Sequence, residues 1–391
     1  MQFDITIIGG GASGLVSAII CAESGKKVCL IEKETKLGKK ILQTGNGKCN
    51  LSNENLDEGF YNQIEVKNIF NQFGLKETKE FFSSIGIDTF ADEEERLYPF
   101  SESAKDVAMA LELKLESLNI EVLLNTTVTR LEKSNTSFTI ETDKNEKILS
   151  EKVIVATGGN TAKTLLSFTN HNFSEEKEVL VGFRCSEKFF KTLAGVRVDA
   201  SLKIEVNNKT FFEEGQIQLR ENGISGIVVF NASAFVASSC SLPVKAEINF
   251  LPNVKNLEEF LKNRRKKCAH LKVENFLIGL LNKNLATVIL ERANLSKIFD
   301  LLVKSITDEE ITRIAKTITS FSVTMVETFG EAQVHAGGIK LCELNNFESK
   351  FVKNLFVCGE AIDVFGRCGG YNLQWAWSSG AIAGANASKE K

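Results

Sequence analysis

The chain has 391 residues, of which 43% are hydrophobic and 25% charged, as is typical of a globular protein with a sizeable core. Its formal net charge of -3 gives no general attraction to nucleic acid or to an anionic membrane surface. The nine cysteines form no C-x-x-C pair and the three histidines lack zinc-ligand spacing, which argues against a disulfide framework and against a metal site.

The first residues show neither a basic leader nor a cleavage site, and no apolar run is long enough to span a bilayer. We therefore expect a cytoplasmic protein.

Residues 4–32 predict a βαβ unit. Asp4 to Ile8 form a short apolar strand, Leu15 to Ala22 carry apolar residues at helical spacing, and Val28 to Glu32 form the next strand.

A G-x-G-x-x-G run joins that first strand to the helix, and it comprises Gly9, Gly11, Ala12, Ser13 and Gly14 around Gly10. In a dinucleotide-binding turn the first glycine permits a tight turn, the second lets the backbone approach a pyrophosphate, and the third allows close packing of helix on strand. The helix N-terminus then offers unpaired N–H groups to the phosphates. The run predicts a dinucleotide site and leaves FAD and NAD both open.

Glu32 ends the second strand, where a carboxylate can accept hydrogen bonds from the adenosine ribose. It would repel a 2′-phosphate, so the site favours FAD or NAD over NADP.

The rest of the chain changes texture several times. Residues 33–60 are rich in Gly, Lys, Asn and Ser and predict a loop, whereas residues 104–118 predict a helix. Alternating apolar residues predict strands across 180–250, and residues 254–318 predict several short, charged helices. Continuous apolar runs at 153–156 and 355–358 predict buried strands, and a glycine-rich loop with a final helix follows the second run.

Three motifs outside the first turn separate FAD from NAD. Residues 39–50 read KKILQTGNGKCN, residues 155–159 read VATGG, and residues 359–374 join a GEAID run to GGYNLQ. With these motifs in this order, the chain resembles, over nearly its whole length, the aminoacetone-oxidase-like and bile-acid-reductase-like family of bacterial FAD-binding oxidoreductases. The shorter runs at 96–101, 223–226 and 347–350 also match that family.

The resemblance implies an α/β fold, with a glutathione-reductase-like discontinuous FAD-binding Rossmann domain and an inserted β-barrel-like plus helical domain. The FAD domain would comprise residues 1–177 and 335–391. The inserted β subdomain would comprise 178–253 and 319–334, and the inserted helical subdomain 254–318. We expect a monomer or a small homo-oligomer.

The motifs also predict which residues contact the cofactor. Besides the glycine turn and Glu32, these are Lys33, Lys40, Thr44, Gly45, Gly47, Cys49, Asn50, Val128, Thr157, Gly158, Gly359, Glu360, Asp363, Gly369, Gly370, Tyr371 and Asn372. We expect the helix that opens at residues 369–372 to point its N-terminus at the flavin edge that becomes negative on reduction. Glu360 and Asp363 are candidates for hydrogen bonds to the ribityl chain.

The predicted function is an FAD-dependent oxidoreductase acting on a small organic substrate by hydride transfer at flavin N5. One form of this reaction is reduction of a C=C bond with NADH or NADPH as a transient electron donor. The alternatives are a flavin-dependent amine oxidase, a flavoprotein acting in RNA modification, and a flavin-binding redox sensor without turnover. The near-neutral charge disfavours a nucleic-acid partner, and the basic run at 264–267 is typical of a solvated helix face.

The substrate side is less well defined. The family usually carries a phenylalanine-threonine-histidine-like run before its G-[IL]-S-G and a proline after it. Here residues 218–222 read QLREN, and Ile227 replaces the proline. Where the family has Thr-Gly-Gly, this chain has His335 and Ala336 followed by Gly337-Gly338. His335 is a candidate for a catalytic acid or base, and Arg96, Tyr98 and Arg184 are further polar candidates.

Overall fold

The computed structural model describes residues 1–390, without the side chain of Asn160. Its strands are β1 (Gln2–Ile8), β2 (Val28–Ile31), β3 (Ser52–Asn53), β4 (Thr89–Ala91), β5 (Arg96–Pro99), β6 (Glu121–Leu123), β7 (Val128–Lys133), β8 (Phe138–Thr142), β9 (Lys147–Val155), β10 (Phe173–Val179), β11 (Gly182–Cys185), β12 (Arg197–Val206), β13 (Lys209–Arg220), β14 (Gly223–Ser225), β15 (Val244–Asn249), β16 (Phe321–Phe329), β17 (Val334–Ile339), β18 (Leu344–Asn345), β19 (Glu348–Ser349) and β20 (Leu355–Val357). Its α-helices are α1 (Ala12–Glu23), α2 (Val66–Phe70), α3 (Leu75–Ser84), α4 (Ala104–Ser117), α5 (Gly159–Leu165), α6 (Phe190–Leu193), α7 (Ile227–Ser239), α8 (Leu257–Lys267), α9 (Lys283–Arg292), α10 (Asp308–Thr319) and α11 (Tyr371–Ser388).

The chain divides into two compact units. The first comprises residues 1–177 together with the chain from Val334 onward. Its main sheet has the order β18-β19-β20-β9-β1-β2-β6, with β8 beside β9 and β7 beside β8. Strands β20, β9, β1, β2 and β6 run parallel to their neighbours in this order. Their carboxyl ends therefore meet at one edge of the sheet, which is where open α/β sheets bind ligands.

The apolar sequences of the central strands explain their position in the sheet. All four residues of β2 are buried, as are the last four of β1 and the last three of β9. Strands buried on both faces are typical of parallel sheets covered by helices. One such helix is α1, which packs against α11 so closely that a side chain at Gly380 would overlap the backbone of Ser13.

The second unit comprises residues 178–333 and has its own apolar core. Six antiparallel strands close into a barrel in the order β11-β14-β13-β12-β15-β16. Burial alternates along β15, so one face of the strand lines the barrel interior and the other faces outward. The Rossmann-type sheet and the inserted barrel, both expected from the sequence, are thereby confirmed.

The prediction of strands across residues 180–250 is wrong for α7. This helix is buried along most of its length and packs within the second unit. Its sequence, IVVFNASAFVASS, is apolar on all sides and shows no amphipathic repeat. Since a fully buried helix lacks the 3.6-residue pattern, periodicity alone does not distinguish it from buried strands.

Helices α8, α9 and α10 occupy the charged segment where helices were expected. Two arginines of the basic run on α8 bind within the unit. Arg264 donates to the carbonyls of Phe276 and Ile278, and Arg265 donates to the carbonyl of Ile306 and to Asp308. Within the described chain, no helix is both long enough and apolar enough to cross a bilayer.

Candidate functional site

The glycine turn between β1 and α1 is held in place by backbone packing. Gly9 has a left-handed backbone with φ +110°, and a Cβ there would lie 2.5 Å from the carbonyl oxygen of Ala156. A Cβ at Gly14 would overlap the carbonyl of Gly9 itself. Both positions therefore exclude any larger residue, and the turn lies directly against the end of β9.

Gly11 differs from the other two glycines because a Cβ added there would meet nothing within 4 Å. Gly11 is the N-cap of the twelve-residue helix α1, and its φ of -78° is open to any amino acid. The open space lies where free N–H groups begin the helix, which is the arrangement that binds a pyrophosphate. The residues present thus fit the phosphates of a dinucleotide.

Glu32 braces the same turn. Its carboxylate accepts hydrogen bonds from the backbone N–H of Gly10 at 2.5 Å and from that of Glu34 at 2.8 Å. Each carboxylate oxygen can accept a further hydrogen bond, so these contacts are compatible with the predicted hydrogen bond from the adenosine ribose. That contact stays a prediction. Of the two neighbouring candidates, Lys33 is exposed, whereas the side chain of Val128 is buried in the core.

The loop after β2 contains a cluster of left-handed residues. Gly45, Asn46, Gly47 and Cys49 all have positive φ, between 54° and 86°. A Cβ at Gly45 would lie 2.9 Å from the backbone nitrogen of Asn50, whereas one at Gly47 would meet nothing within 4 Å. The loop is therefore tightly folded on one side and open on the other.

Cys49 lies at the end of this loop with no exposed surface. Burial raises the pKa of its thiol to about 12, although a hydrogen bond with Thr44 opposes the shift. The Thr44 hydroxyl also donates to the carbonyl of Ile41 at 2.7 Å. All nine cysteines are free, and a neutral buried thiol is a packing group and not a redox nucleophile.

The first loop is joined to the N-terminus of α11. With its amide oriented to suit its neighbours, Asn50 accepts a hydrogen bond from the backbone N–H of Gly370 at 3.0 Å and donates to the carbonyl of Ser52 at 2.8 Å. Gly370 is left-handed, with φ +96°, and a Cβ there would overlap the Ser52 carbonyl. Asn50 and Gly370 thus fix where the last helix begins.

Helix α11 connects several loops at this edge of the sheet. The indole of Trp375 donates to the carbonyl of Gly359 and the indole of Trp377 to that of Leu51, each at 3.0 Å. The Ser379 hydroxyl accepts from the backbone N–H of Gly359, also at 3.0 Å. The fully buried Gln374 accepts from Ser52 at 2.5 Å. The helix therefore positions the glycine-rich segments around its own N-terminus.

An ion pair joins the loop after β2 to the loop after β20. The ammonium of Lys40 lies 2.6 Å from the carboxylate of Glu360, and that carboxylate lies 3.6 Å from where a Cβ of Gly158 would be. Asp363 accepts a hydrogen bond from the backbone N–H of Gly337 at 3.1 Å. Glu360 and Asp363 therefore order the loops, and their predicted contacts with the ribityl chain stay predictions. The Thr157 hydroxyl donates to the Gly158 carbonyl at 3.3 Å.

Two predicted cofactor residues have side chains that bind the protein itself. The hydroxyl of Tyr371 donates to the carbonyl of Asn55 at 3.2 Å, and its ring makes an edge contact with Tyr61. Asn372 accepts from the N–H of Gly366 and donates to its carbonyl, both at 2.9 Å. These two side chains shape the loop before α11, and the predicted contacts of these residues with the cofactor stay predictions.

Sequence reasoning missed a buried polar network in the same unit. His171 has no exposed side-chain surface, and its two ring nitrogens lie 2.9 Å from Glu343 and 2.8 Å from the hydroxyl of Ser349. The Glu343 carboxylate also accepts two hydrogen bonds from Asn172. No local pattern predicts this network, because its partners are separated by more than 170 residues. His335, the predicted candidate acid or base, is half-buried on β17.

The described side chains include no group of three or more His, Cys, Asp or Glu arranged to hold a metal ion. The glycine turn, the open helix N-terminus and the parallel sheet form a Rossmann-type dinucleotide site, and the family match and the relatives make the protein an FAD-dependent oxidoreductase. Residues 3–386 match the family described as the HI0933-like protein Rossmann domain, and the chain belongs to that family. The family resemblance inferred from the motifs is thereby confirmed.

Two relatives align over nearly their full length. The 3-dehydro-bile acid delta(4,6)-reductase of Clostridium scindens is 34% identical, and the alignment covers 98% of this chain and 99% of that protein. The ribosomal RNA dihydrouridine synthase of Escherichia coli is 29% identical over 97% and 96%. Among solved structures, the 3-ketosteroid delta1-dehydrogenase of Sterolibacterium denitrificans matches with a TM-score of 0.54 at 9% identity, covering 99% of each chain. At that identity the last match shows the fold alone.

Proposed function

We propose that this oxidoreductase reduces a C=C bond conjugated to a carbonyl in a small organic molecule, with NADH or NADPH as the electron donor. The observation that carries the proposal is the 34% identity, over nearly both whole chains, with a reductase of an unsaturated 3-dehydro-bile acid. The relative at 29% identity is named for dihydrouridine, a uracil ring whose C=C bond is saturated. One reaction class therefore accommodates both relatives.

The neutral state of Cys49 supports a reaction without thiol chemistry. A disulfide reductase needs a thiolate close to its flavin, whereas the pKa of this buried thiol is raised to about 12. Reduced FAD supplies a hydride equivalent to an electron-poor carbon. The proton that completes the reduction would come from water or from His335, which is half-buried.

The chain's own residues would bind and orient the cofactor. The space over Gly11 and the N-terminus of α1 suit the pyrophosphate, and the left-handed loop at 45–49 leaves Gly47 open. The N-terminus of the eighteen-residue helix α11 would stabilise negative charge placed against it. Lys40 would neutralise phosphate only by loosening its 2.6 Å pair with Glu360.

The finer structural classification belongs to the same proposal. We assign the first unit to the glutathione-reductase-like kind of FAD domain, because the chain that follows the insert returns to this unit. It adds strand β20 to the parallel sheet and helix α11 to the helices of the unit. The barrel and the helices of residues 254–318 would form β and helical subdomains of the insert. These assignments would place substrate selection in the insert.

An RNA-modifying role is the second candidate, and the dihydrouridine synthase relative favours it. The structure of the basic run weighs against it. The guanidinium groups of Arg264 and Arg265 donate hydrogen bonds to backbone carbonyls and to Asp308. The ammonium of Lys262 lies 2.9 Å from the carboxylate of Glu258. Cations bound in this way are less available to phosphates.

The test is an anaerobic titration of the purified, FAD-loaded protein with NADH and with NADPH, followed by a conjugated enone. We expect one nicotinamide to bleach the flavin absorbance and the enone to restore it, with the saturated ketone as product. Bleaching by an amine, with reoxidation by oxygen only, would instead identify an amine oxidase. A protein that takes up no FAD would refute both readings.

A further inference from the structure

Tyr98 on β5 lies against the loop that follows β2. A Cβ at Gly45 would lie 3.3 Å from Cε1 of the Tyr98 ring, so the ring packs on the backbone of that loop. The loop begins beside the glycine turn, where the N–H of Gly38 donates to the carbonyl of Gly10 at 2.9 Å. It ends at Asn50, whose side chain fixes the start of α11. Tyr98 therefore lies beside the loop that runs from the N-terminus of α1 to that of α11.

The hydroxyl of Tyr98 is available to a ligand. The residue exposes only 9% of its surface, and it follows Leu97, which lies in the core of the first unit. Adjacent residues of a strand point to opposite faces, so Tyr98 points away from that core. Among residues 1–390, no group forms a hydrogen bond with its hydroxyl. Polar groups of buried residues usually have a partner, so a ligand would supply the one that this hydroxyl lacks.

The surroundings of Tyr98 keep its phenol neutral. Burial raises the pKa of this phenol, although the positive charges of Arg96 and Lys48 oppose the shift. The hydroxyl therefore keeps its proton at neutral pH and can donate a hydrogen bond. Both cations are already paired, because Arg96 donates to Asp92 at 2.8 Å and Lys48 donates to Glu102 at 3.0 Å. With these charges balanced, the hydroxyl suits an uncharged acceptor, such as a carbonyl oxygen, better than an anion.

Two phenylalanines continue from Tyr98 towards the solvent. Phe90 on β4 is its register partner, so the two side chains share a face of the small sheet, and their ring centroids are 6.2 Å apart. The ring of Phe100 lies 5.6 Å from that of Phe90, and Phe100 is 69% exposed. These three rings, which we call the aromatic row, lead from the solvent to a hydrogen-bond donor. The aromatic row fits an apolar molecule that carries a carbonyl group at one end.

We propose that Tyr98 donates a hydrogen bond to the carbonyl oxygen of the substrate, and that the apolar body of the substrate lies along the aromatic row. The inference rests on the proposed reduction of a conjugated C=C bond and adds how the molecule is held and activated. The two electrons come from NADH or NADPH. When a hydride adds to the carbon β to the carbonyl, the electron pair of the C=C bond moves towards the oxygen and an enolate forms.

Tyr98 would act on that enolate. A neutral donor placed at the oxygen stabilises the negative charge that develops there, and this interaction is stronger in the transition state than in the bound ketone. The carbon α to the carbonyl then receives a proton from water or from His335, and Tyr98 keeps its own. The contact recognises the carbonyl group that all such substrates share.

The first test compares a steroid 4-en-3-one with the same steroid lacking the 3-oxo group. Binding to the FAD-loaded, oxidised protein is measured by isothermal titration calorimetry. We expect the wild type to bind the ketone about tenfold more tightly than the deoxo compound, as one well-placed hydrogen bond would give. Tyr98→Phe should remove that difference by weakening the ketone alone. Equal binding of both compounds by the wild type, or binding of neither, would overturn the inference.

Two further variants separate the donor from the apolar contacts. Phe100→Ala should weaken the ketone and the deoxo compound by the same factor, because it removes apolar surface and no donor. Phe212→Ala is the matched control, since it removes an exposed ring from β13 in the second unit and should change neither affinity. A loss of ketone affinity in Phe212→Ala equal to that in Phe100→Ala would remove the substrate from the aromatic row.

A vibrational measurement tests the hydrogen bond itself. With an isotope-labelled carbonyl, infrared difference spectra should place the C=O stretch of the bound ketone at a lower wavenumber in the wild type than in Tyr98→Phe, because a hydrogen bond weakens the C=O bond. A purely structural role for the hydroxyl would not produce this difference. The same stretching frequency in both proteins would overturn the inference.

The two half-reactions distinguish this inference from the proposed function. Tyr98→Phe should bind FAD as the wild type does and should be bleached by the nicotinamide at the same rate, whereas the enone should reoxidise it at least tenfold more slowly. Reoxidation at the wild-type rate would overturn the role of Tyr98 and leave the reaction standing. Weaker FAD binding by Tyr98→Phe would also overturn it, by assigning the hydroxyl to the cofactor. A wild type that neither nicotinamide bleaches would refute the proposed donor, and calorimetry and infrared spectra would still decide the contact.

Discussion

Burial determines the chemistry of Cys49, although its place in a flavin loop would suit a redox thiol. With a pKa of about 12, roughly one thiol in ten thousand is ionised at pH 8. We predict that iodoacetamide at pH 8 modifies the exposed Cys342 in the native protein and leaves Cys49 intact, as peptide mass spectrometry would measure. Cys49→Ala should keep nicotinamide-dependent bleaching of the flavin. Rapid labelling of Cys49 would show that the thiolate is accessible.

For Glu343, in contrast to Cys49, hydrogen bonds together affect the pKa more strongly than burial does. Burial raises the pKa of this carboxyl, but hydrogen bonds from Asn172 and His171 outweigh it and lower the pKa below its usual 4.5. A lowered folded-state pKa contributes stability that is fully present above the unfolded-state value and is lost as pH falls through the folded-state value.

The prediction from this balance is that Glu343→Gln lowers the melting temperature at pH 7 by several degrees. The gap to the wild type should narrow as the pH falls below about 4.5. Differential scanning calorimetry in constant excess FAD measures the difference in melting temperature at each pH. Substitution of an exposed carboxylate, Glu116→Gln, is the control. A gap that is the same at pH 7 and pH 4 would contradict the assignment.

At the scale of an element, we expect two glycines of the turn between β1 and α1 to have different roles, Gly14 in folding and Gly11 in binding of the cofactor. Gly14→Ala would place a methyl group on the Gly9 carbonyl, whereas Gly11→Ala would place one in open space at an ordinary φ. We predict that the Gly11→Ala apoprotein melts within about 2 °C of wild-type apoprotein but binds FAD at least tenfold more weakly, by fluorescence titration. Gly14→Ala should lower the melting temperature of the apoprotein itself. Full FAD affinity in Gly11→Ala would remove the pyrophosphate from this turn.

The elements also show what a sequence can and cannot reveal. The βαβ unit was predictable, because its strands are continuously apolar and its turn demands glycine at fixed positions. Helix α7 was not, since it is apolar on all sides and carries no helical period. The structural use of Tyr371 and Asn372 was equally hidden, because a motif identifies residues but not which way their side chains turn.

At the scale of the whole molecule, the distribution of charge bears on the choice between a small substrate and RNA. The net charge is -3, and two arginines of the basic run are bound within the protein. We predict that the protein elutes from an RNA column below 100 mM salt, with a shallow dependence of affinity on salt. A slope corresponding to six or more phosphate contacts, as in true nucleic-acid binders, would favour RNA modification. Gel-shift titrations at 50 and 200 mM salt provide the measurement.

The position of α11 in the chain has a consequence for biosynthesis. This helix begins at Tyr371, and its contacts with Gly359, Leu51 and the backbone of Ser13 complete the edge of the sheet where the glycine loops meet. A ribosome therefore translates the whole barrel before it makes the segment that closes the first unit. Nascent chains that stop short of α11 would remain colourless, so yellow colour in a preparation would report translation through the final helix.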